Sequence, residues 1–175
     1  MDGKEKAEGM SEMVIVIDSR EQTPFFKKPP KGLLITRDTL AQGDYSIRGY
    51  EHGVCVERKN PDDFLSSITS DSTRFKKRLS EMDSYQLAII VVEKPLRDIL
   101  NMCDPTATRR KRKVAGRVKL SATTNKRRIH PNVVTGTVWS IYGKYGIPIY
   151  FAMDRQDAEN FTLGVLRKYY QRMNP

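Results

Sequence analysis

The run Glu57-Arg58-Lys59-Asn60-Pro61-Asp62-Asp63 and the more isolated Asp44 hold the residue types from which phosphodiester chemistry is built. Side chains alternate along a strand, so Glu57 and Lys59 share one face while Arg58 points to the other. The turn cluster Gly49-Tyr50-Glu51-His52-Gly53 separates the strand-like stretches Asp44 to Arg48 and Val54 to Lys59, which predicts a β-hairpin. A hairpin turning near Glu51 sets Asp44 across from the neighbourhood of Glu57 and Arg58. Like charges about 4 Å apart repel by roughly 4 kcal/mol at an effective dielectric near 20, so converging carboxylates call for a proton or a metal ion between them. Mg²⁺, or Mn²⁺ in its place, suits such oxygen ligands and bridges to phosphate oxygens. The ion polarises a phosphodiester and acidifies a bound water, and Lys59 positions that water or stabilises the developing charge. The reaction class is hydrolytic phosphodiester cleavage.

Other acids nearby have two readings each. Asp63 stands at the third position of a helix that Asn60 caps and Pro61 opens, where a carboxylate stabilises the helix N-terminus without touching a metal. Asp18, Arg20 and Glu21 follow the apolar run Val14-Ile15-Val16-Ile17 and either join the same cluster or begin a polar loop.

The elements that must position these groups follow from periodicity. Strands are expected at Val14 to Ile17, Leu33 to Thr36, Asp44 to Arg48, Val54 to Lys59, Ala88 to Glu93 and Ile147 to Ala152. The fifth of these is apolar on both faces, as in a central strand covered on two sides. A helix runs from Asn60 to about Ser70, and a second starts at Asp71 with Phe75, Leu79 and Met82 inside and Lys76, Lys77 and Arg78 turned outward. Pro95 opens a short helix to about Met102. Val134, Val138, Ile141, Tyr142 and Tyr145 mark a helical stripe ending at Gly146, and Ala158, Phe161, Val165, Leu166 and Tyr169 mark a C-terminal amphipathic helix. The fold class is α/β, a mixed sheet sandwiched by helices.

The chain has 175 residues and 38% hydrophobic content, enough for one core; residues 1–12 read as a disordered charged leader and 13–175 as one domain. Cys55 and Cys103 lack metal-ligand or disulfide spacing and read as small buried residues. No apolar run is long enough to span a bilayer, so the expected setting is intracellular: cytoplasmic in a prokaryote or virus, nuclear in a eukaryote. Arg109 to Arg128 contains ten basic residues and no acid. Removing those ten from the chain's 31 basic residues leaves 21, matching its 21 acidic ones, so the net charge of +10 lies in one segment. That segment, a loop over 104–130, reads as a phosphate-contacting arm centred on Arg109, Arg110, Lys111, Arg112 and Lys113, or as a solvated loop or localisation signal.

These residues resemble the XPF-type structure-specific endonucleases, whose nuclease domain is similar to the restriction-endonuclease fold and carries G-D, then E-R-K-x-x-x-D. Here the pattern reads Gly43-Asp44, then Glu57-Arg58-Lys59-Asn60-Pro61-Asp62-Asp63. Val16-Ile17-Asp18-Ser19-Arg20-Glu21 resembles the family's first motif, as Ile129-His130-Pro131-Asn132 does a later one. The likeness spans about Val14 to Arg172. It implies metal-binding acids at Asp18, Asp44 and Glu57, with Glu21 a weaker member, essential basic residues at Arg58 and Lys59, and a motif-closing acid at Asp63. It also implies branched DNA, such as a flap or fork, as substrate, a role in repair or recombination, and a homodimer. The helicase domain and tandem helix-hairpin-helix domain that usually accompany this nuclease are not found in the 175 residues. The basic segment, with Arg20, is therefore expected to hold DNA, and the aromatic C-terminal helix to offer a dimer face. The rival reading is a non-catalytic DNA-binding or scaffold module of the same family, and a third is a nuclease of this fold acting on linear ends or four-way junctions.

Overall fold

The computed structural model describes residues 13–106 and 128–175; the leader and the basic residues Arg109, Arg110, Lys111, Arg112 and Lys113 lie outside the described residues. Among the described residues six strands form one sheet: β1 (Val14–Asp18), β2 (Leu34–Asp38), β3 (Tyr45–Ile47), β4 (Val54–Lys59), β5 (Leu87–Val92) and β6 (Ile149–Phe151). Their order across the sheet is β2-β1-β3-β4-β5-β6. Only β3 pairs antiparallel, to both β1 and β4, and every other pairing is parallel. β1, β4 and β5 therefore run the same way, and their carboxyl ends meet the start of β3 along one edge of the sheet, the usual place for a site in an open α/β sheet.

Helices cover both faces, as the pattern predicts. Cys55 and, from β5, Ile90 and Val92 pack against α1 (Pro61–Ser67), α2 (Ser72–Met82), α3 (Leu96–Asn101) and α4 (Pro131–Tyr145) through Phe64, Leu65, Phe75, Leu79, Ile99, Val134 and Ile141. The opposite face buries Ile15, Ile17, Tyr45, Val54 and Val56 under α5 (Arg155–Met173), with Phe25 and Phe26 of the 19–33 connection filling the end. Phe64 and Leu65 are fully buried, which is worth roughly 1.5–3 kcal/mol each.

Local chemistry sets the helix ends. Asn60 accepts the Asp63 N–H, Pro61 occupies the first turn, and Asp154 caps α5 by accepting the Asp157 N–H. The motif Ile129-His130-Pro131-Asn132 resolves as a helix start, with His130 Nδ1 accepting the Asn132 N–H. Two expectations on helix faces change. Tyr142, placed in the inner stripe of α4, is 64% exposed, because Ile141, one residue and about 100° around the helix, takes the inward position of that turn. Arg78, expected to face outward, reaches back over the sheet to Glu57. It sits three residues after Phe75 and four before Met82, on the border of the buried stripe, where a long side chain can bend inward.

Gly43 fixes the entry to β3. Its φ of +76° is a conformation that side chains resist, and an added Cβ would lie 3.0 Å from both Cys55 Cβ and Val56 O. Gly43→Ala is expected to cost about 2–4 kcal/mol, from the left-handed backbone and the overpacking together. Denaturant unfolding checks this, and a change below about 0.5 kcal/mol would contradict it.

Candidate active site

The register converts the sequence spacing into a row of acids. Ile17 pairs with Tyr45 and Tyr45 with Val56, so the next position along each strand brings Asp18, Asp44 and Glu57 side by side across β1, β3 and β4. The Asp18 N–H donates to Asp44 O at 2.9 Å and the Asp44 N–H to Val56 O at 2.8 Å, stitching the three strands together at this point. Alternation along β4 turns Glu57 and Lys59 toward the α1–α2 side, and Lys59 Nζ donates to Glu57 Oε1 at 2.8 Å. All four side chains line one cavity of about 870 Å³, together with Arg20, Glu21, Arg58, Asp63, Arg74, Lys77 and Arg78.

The three acids differ in how they are satisfied. Asp18 is buried, which pushes its carboxyl up, but Arg20 and the backbone N–H groups of Leu40 and Arg20 outweigh this and hold it below the usual range. Its two oxygens accept four N–H bonds of 2.8–2.9 Å, two of them from the Arg20 guanidinium. Asp44 is the opposite case. Burial first, then the charge of Glu57, pushes its carboxyl up to about 7, against the single N–H bond it accepts from Arg58 at 2.7 Å. Glu57 is 2% exposed and carries two cations, Lys59 and Arg78, both on Oε1.

Arg58 lies on the other face of β4, as alternation requires. Its guanidinium donates to Glu93 at 2.6 Å, reaches Glu21 at 3.4 Å and stacks 5.6 Å from the Phe25 ring centre. Only 9% of its side chain is exposed, and these contacts tie β4 to the 19–33 connection beside the site. Arg155 completes the clamp by donating to Glu93 and to the carbonyls of Thr23 and Pro24. Asp63 accepts an N–H from the Asn60 side chain at 2.7 Å, while Asn60 accepts the Asp63 N–H at 2.9 Å. It lines the cavity, but its contacts are those of a helix cap.

The donor set fits a hard divalent cation. Asp44 and Glu57 supply oxygens alone, and no hydrogen bond from a described residue reaches Asp44 Oδ1 or Glu57 Oε2. Mg²⁺ is commonly held by one or two carboxylates plus substrate phosphates and water. Among the described residues no three His, Cys, Asp or Glu side chains cluster closely enough to hold an ion together, which agrees with Asp18 being engaged by Arg20.

A family model described as the ERCC4 domain matches residues 17–164, most of the chain and every residue of this site. The chain belongs to the ERCC4 domain family. A search of the curated proteins found no match. Two similar solved structures are XPF from Aeropyrum pernix, at 21% identity and a TM-score of 0.58, and the same protein in complex with DNA, at 18% and 0.58. They cover 92% and 91% of this chain, which spans 67% and 66% of theirs. At this identity the likeness establishes a shared fold, the mixed α/β sheet of the XPF nuclease domain. Within that ERCC4 fold, sequence reasoning missed Arg78, Glu93 and Arg155. Glu93 had a signal, as an acid closing an all-apolar strand, and so did Arg155, a cation at the positive end of a helix dipole.

Proposed function

We propose that this chain is a metal-dependent DNA endonuclease that hydrolyses phosphodiester bonds in branched DNA such as flaps and forks, in repair or recombination. The observation that carries the reading is the row Asp18, Asp44 and Glu57 beside Lys59, open to a cavity whose rim holds Arg20, Arg74, Lys77 and Arg78. Acids at the floor and cations at the rim match a bound cation below a phosphate backbone. ERCC4 membership and the DNA-bound state of one similar structure support DNA as the partner.

In this reading Asp44 and Glu57 hold Mg²⁺ or Mn²⁺. The cation, when bound, supplies Lewis-acid polarisation of the phosphodiester and a more acidic water. Lys59 places its ammonium beside that carboxylate pair, where it orients a water or meets developing negative charge. Asp18 acts through Arg20, fixing the end of β1 and the loop that follows. Arg58, Glu93, Glu21 and Arg155 tie that loop to β4 and α5, and Asp63 with Asn60 anchors α1 directly after Lys59. The basic segment 104–130 serves as the DNA clamp. For the homodimer we favour the α5 side, where Phe161, Val165 and Tyr169 border an apolar groove of about 530 Å³ with Leu87 and Ile89. No helix among the described residues is long and apolar enough to cross a membrane.

One observation favours the second reading, a non-catalytic DNA-binding module: Glu57 already carries two cations and Asp18 four N–H donors, pairing that serves folding as well as chemistry. A panel of flap, fork, four-way and linear DNA with Mg²⁺ or Mn²⁺ separates the readings. Cutting concentrated near single-strand junctions is expected. Equal cutting of linear ends points to a general nuclease, and binding without cutting on every substrate points to the module.

A further inference from the structure

Glu57 faces two positive partners on one oxygen, and they are not equivalent. Lys59 is 11% exposed and rests 5.5 Å from the Phe75 ring centre, held by its own strand and by α2. Arg78 reaches the same Oε1 from the middle of α2 with 37% of its side chain exposed, at the rim of the cavity and next to Arg74 and Lys77. A divalent cation held by Glu57 Oε2 and Asp44 adds two positive charges within a few ångströms of the two cations already on Oε1, and that repulsion weakens the hold of the less tightly seated partner. The partner with the longer reach and the open side is Arg78.

We infer that Arg78 is a displaceable counter-ion: it neutralises Glu57 while no cation is bound, yields that carboxylate to the incoming cation, and then offers its guanidinium to a phosphate of the DNA. The inference rests on the metal-binding reading above. The planar guanidinium fork matches two phosphate oxygens, which a lysine at this place would not. Such an exchange links the two ligands. Cation binding frees a phosphate contact, so the cation strengthens DNA binding, and DNA strengthens cation binding by the same factor.

The test compares the wild-type chain with Arg78→Gln, Arg78→Lys and Lys76→Gln, the last removing an exposed charge from the same helix outside the cavity. Calorimetry with Mn²⁺ alone should show Arg78→Gln binding about fivefold to tenfold more tightly than wild type, because a competing partner is gone. Arg78→Lys and Lys76→Gln should stay near wild type. Binding of a short duplex should be equal for Arg78→Gln and wild type in EDTA, and about tenfold weaker for Arg78→Gln in Ca²⁺. Mn²⁺ affinity that is unchanged or weakened in Arg78→Gln overturns this inference alone, as does a DNA-binding loss equal with and without Ca²⁺. Failure of wild type and Arg78→Gln alike to bind Mn²⁺ overturns the metal reading and this inference with it.

Discussion

Asp44→Asn is expected to lower metal-dependent cleavage by about 10³-fold or more, a barrier increase of about 4 kcal/mol, while making the cation-free protein more stable above neutral pH. Both effects come from one cause. Asp44 is buried beside Glu57, and its carboxyl is pushed up to about 7 from an ordinary 3.8. Between those values the folded state holds a proton that the unfolded chain has released, so stability falls as pH rises through that window and the deficit is complete above it. About three pKa units at roughly 1.4 kcal/mol each put the size on the order of 4 kcal/mol. Asparagine removes the charge yet still accepts the Arg58 N–H, so the variant should lose the slope. Denaturant unfolding at pH 5 and pH 8 in EDTA reads this directly. Wild type should be the less stable protein at pH 8, and Mg²⁺ should restore it but not the variant. A wild type whose stability does not fall from pH 5 to pH 8 would contradict the geometry of the acid pair.

Arg58→Ala is expected to cost about 3–5 kcal/mol of stability, the penalty of leaving buried acids without their cation. Glu21 and Glu93 are 9% and 10% exposed, and Arg58 is the residue that bridges them. Arg155 still reaches Glu93, so the larger part of the cost should fall on Glu21 and the loop it belongs to. Arg58→Lys should recover only part of the loss, since an ammonium cannot contact both acids and stack on Phe25 as the guanidinium does. A double-mutant cycle of Arg58→Met with Glu93→Gln should be less than additive. A loss below 1 kcal/mol for Arg58→Ala would mean the clamp does not hold the site together.

Much of this could be read in the sequence, because the site is built from strands whose period of two is strict. Glu57, Lys59 and Asp44 were placed by alternation and by one turn cluster, and the sheet brings them together on one face. Strand limits shifted by a residue or two, as with β2 at Leu34–Asp38, since burial at strand ends depends on neighbours far along the chain. What periodicity could not supply were the partners of the charged side chains. That Glu93 holds Arg58 and that Arg78 turns inward to Glu57 depend on elements 35 and 21 residues apart, whereas Arg20 occupies Asp18 from only two residues away, through the turn that ends β1. The Ile129-His130-Pro131-Asn132 motif reads in the structure as a helix cap, a local role its residue types already allowed.

The central claim is that Asp44, Glu57 and Lys59 form a cation-dependent phosphodiester-cleaving site. It is tested most directly by following a labelled 3′-flap duplex with Mg²⁺ or Mn²⁺, comparing wild type with Lys59→Ala and Asp44→Asn. The account predicts cutting near the junction by wild type only when the cation is present, abolished in both variants while DNA binding is kept. Binding by wild type without cutting, whatever the cation, would contradict it and leave the chain as a DNA-binding module of the ERCC4 family.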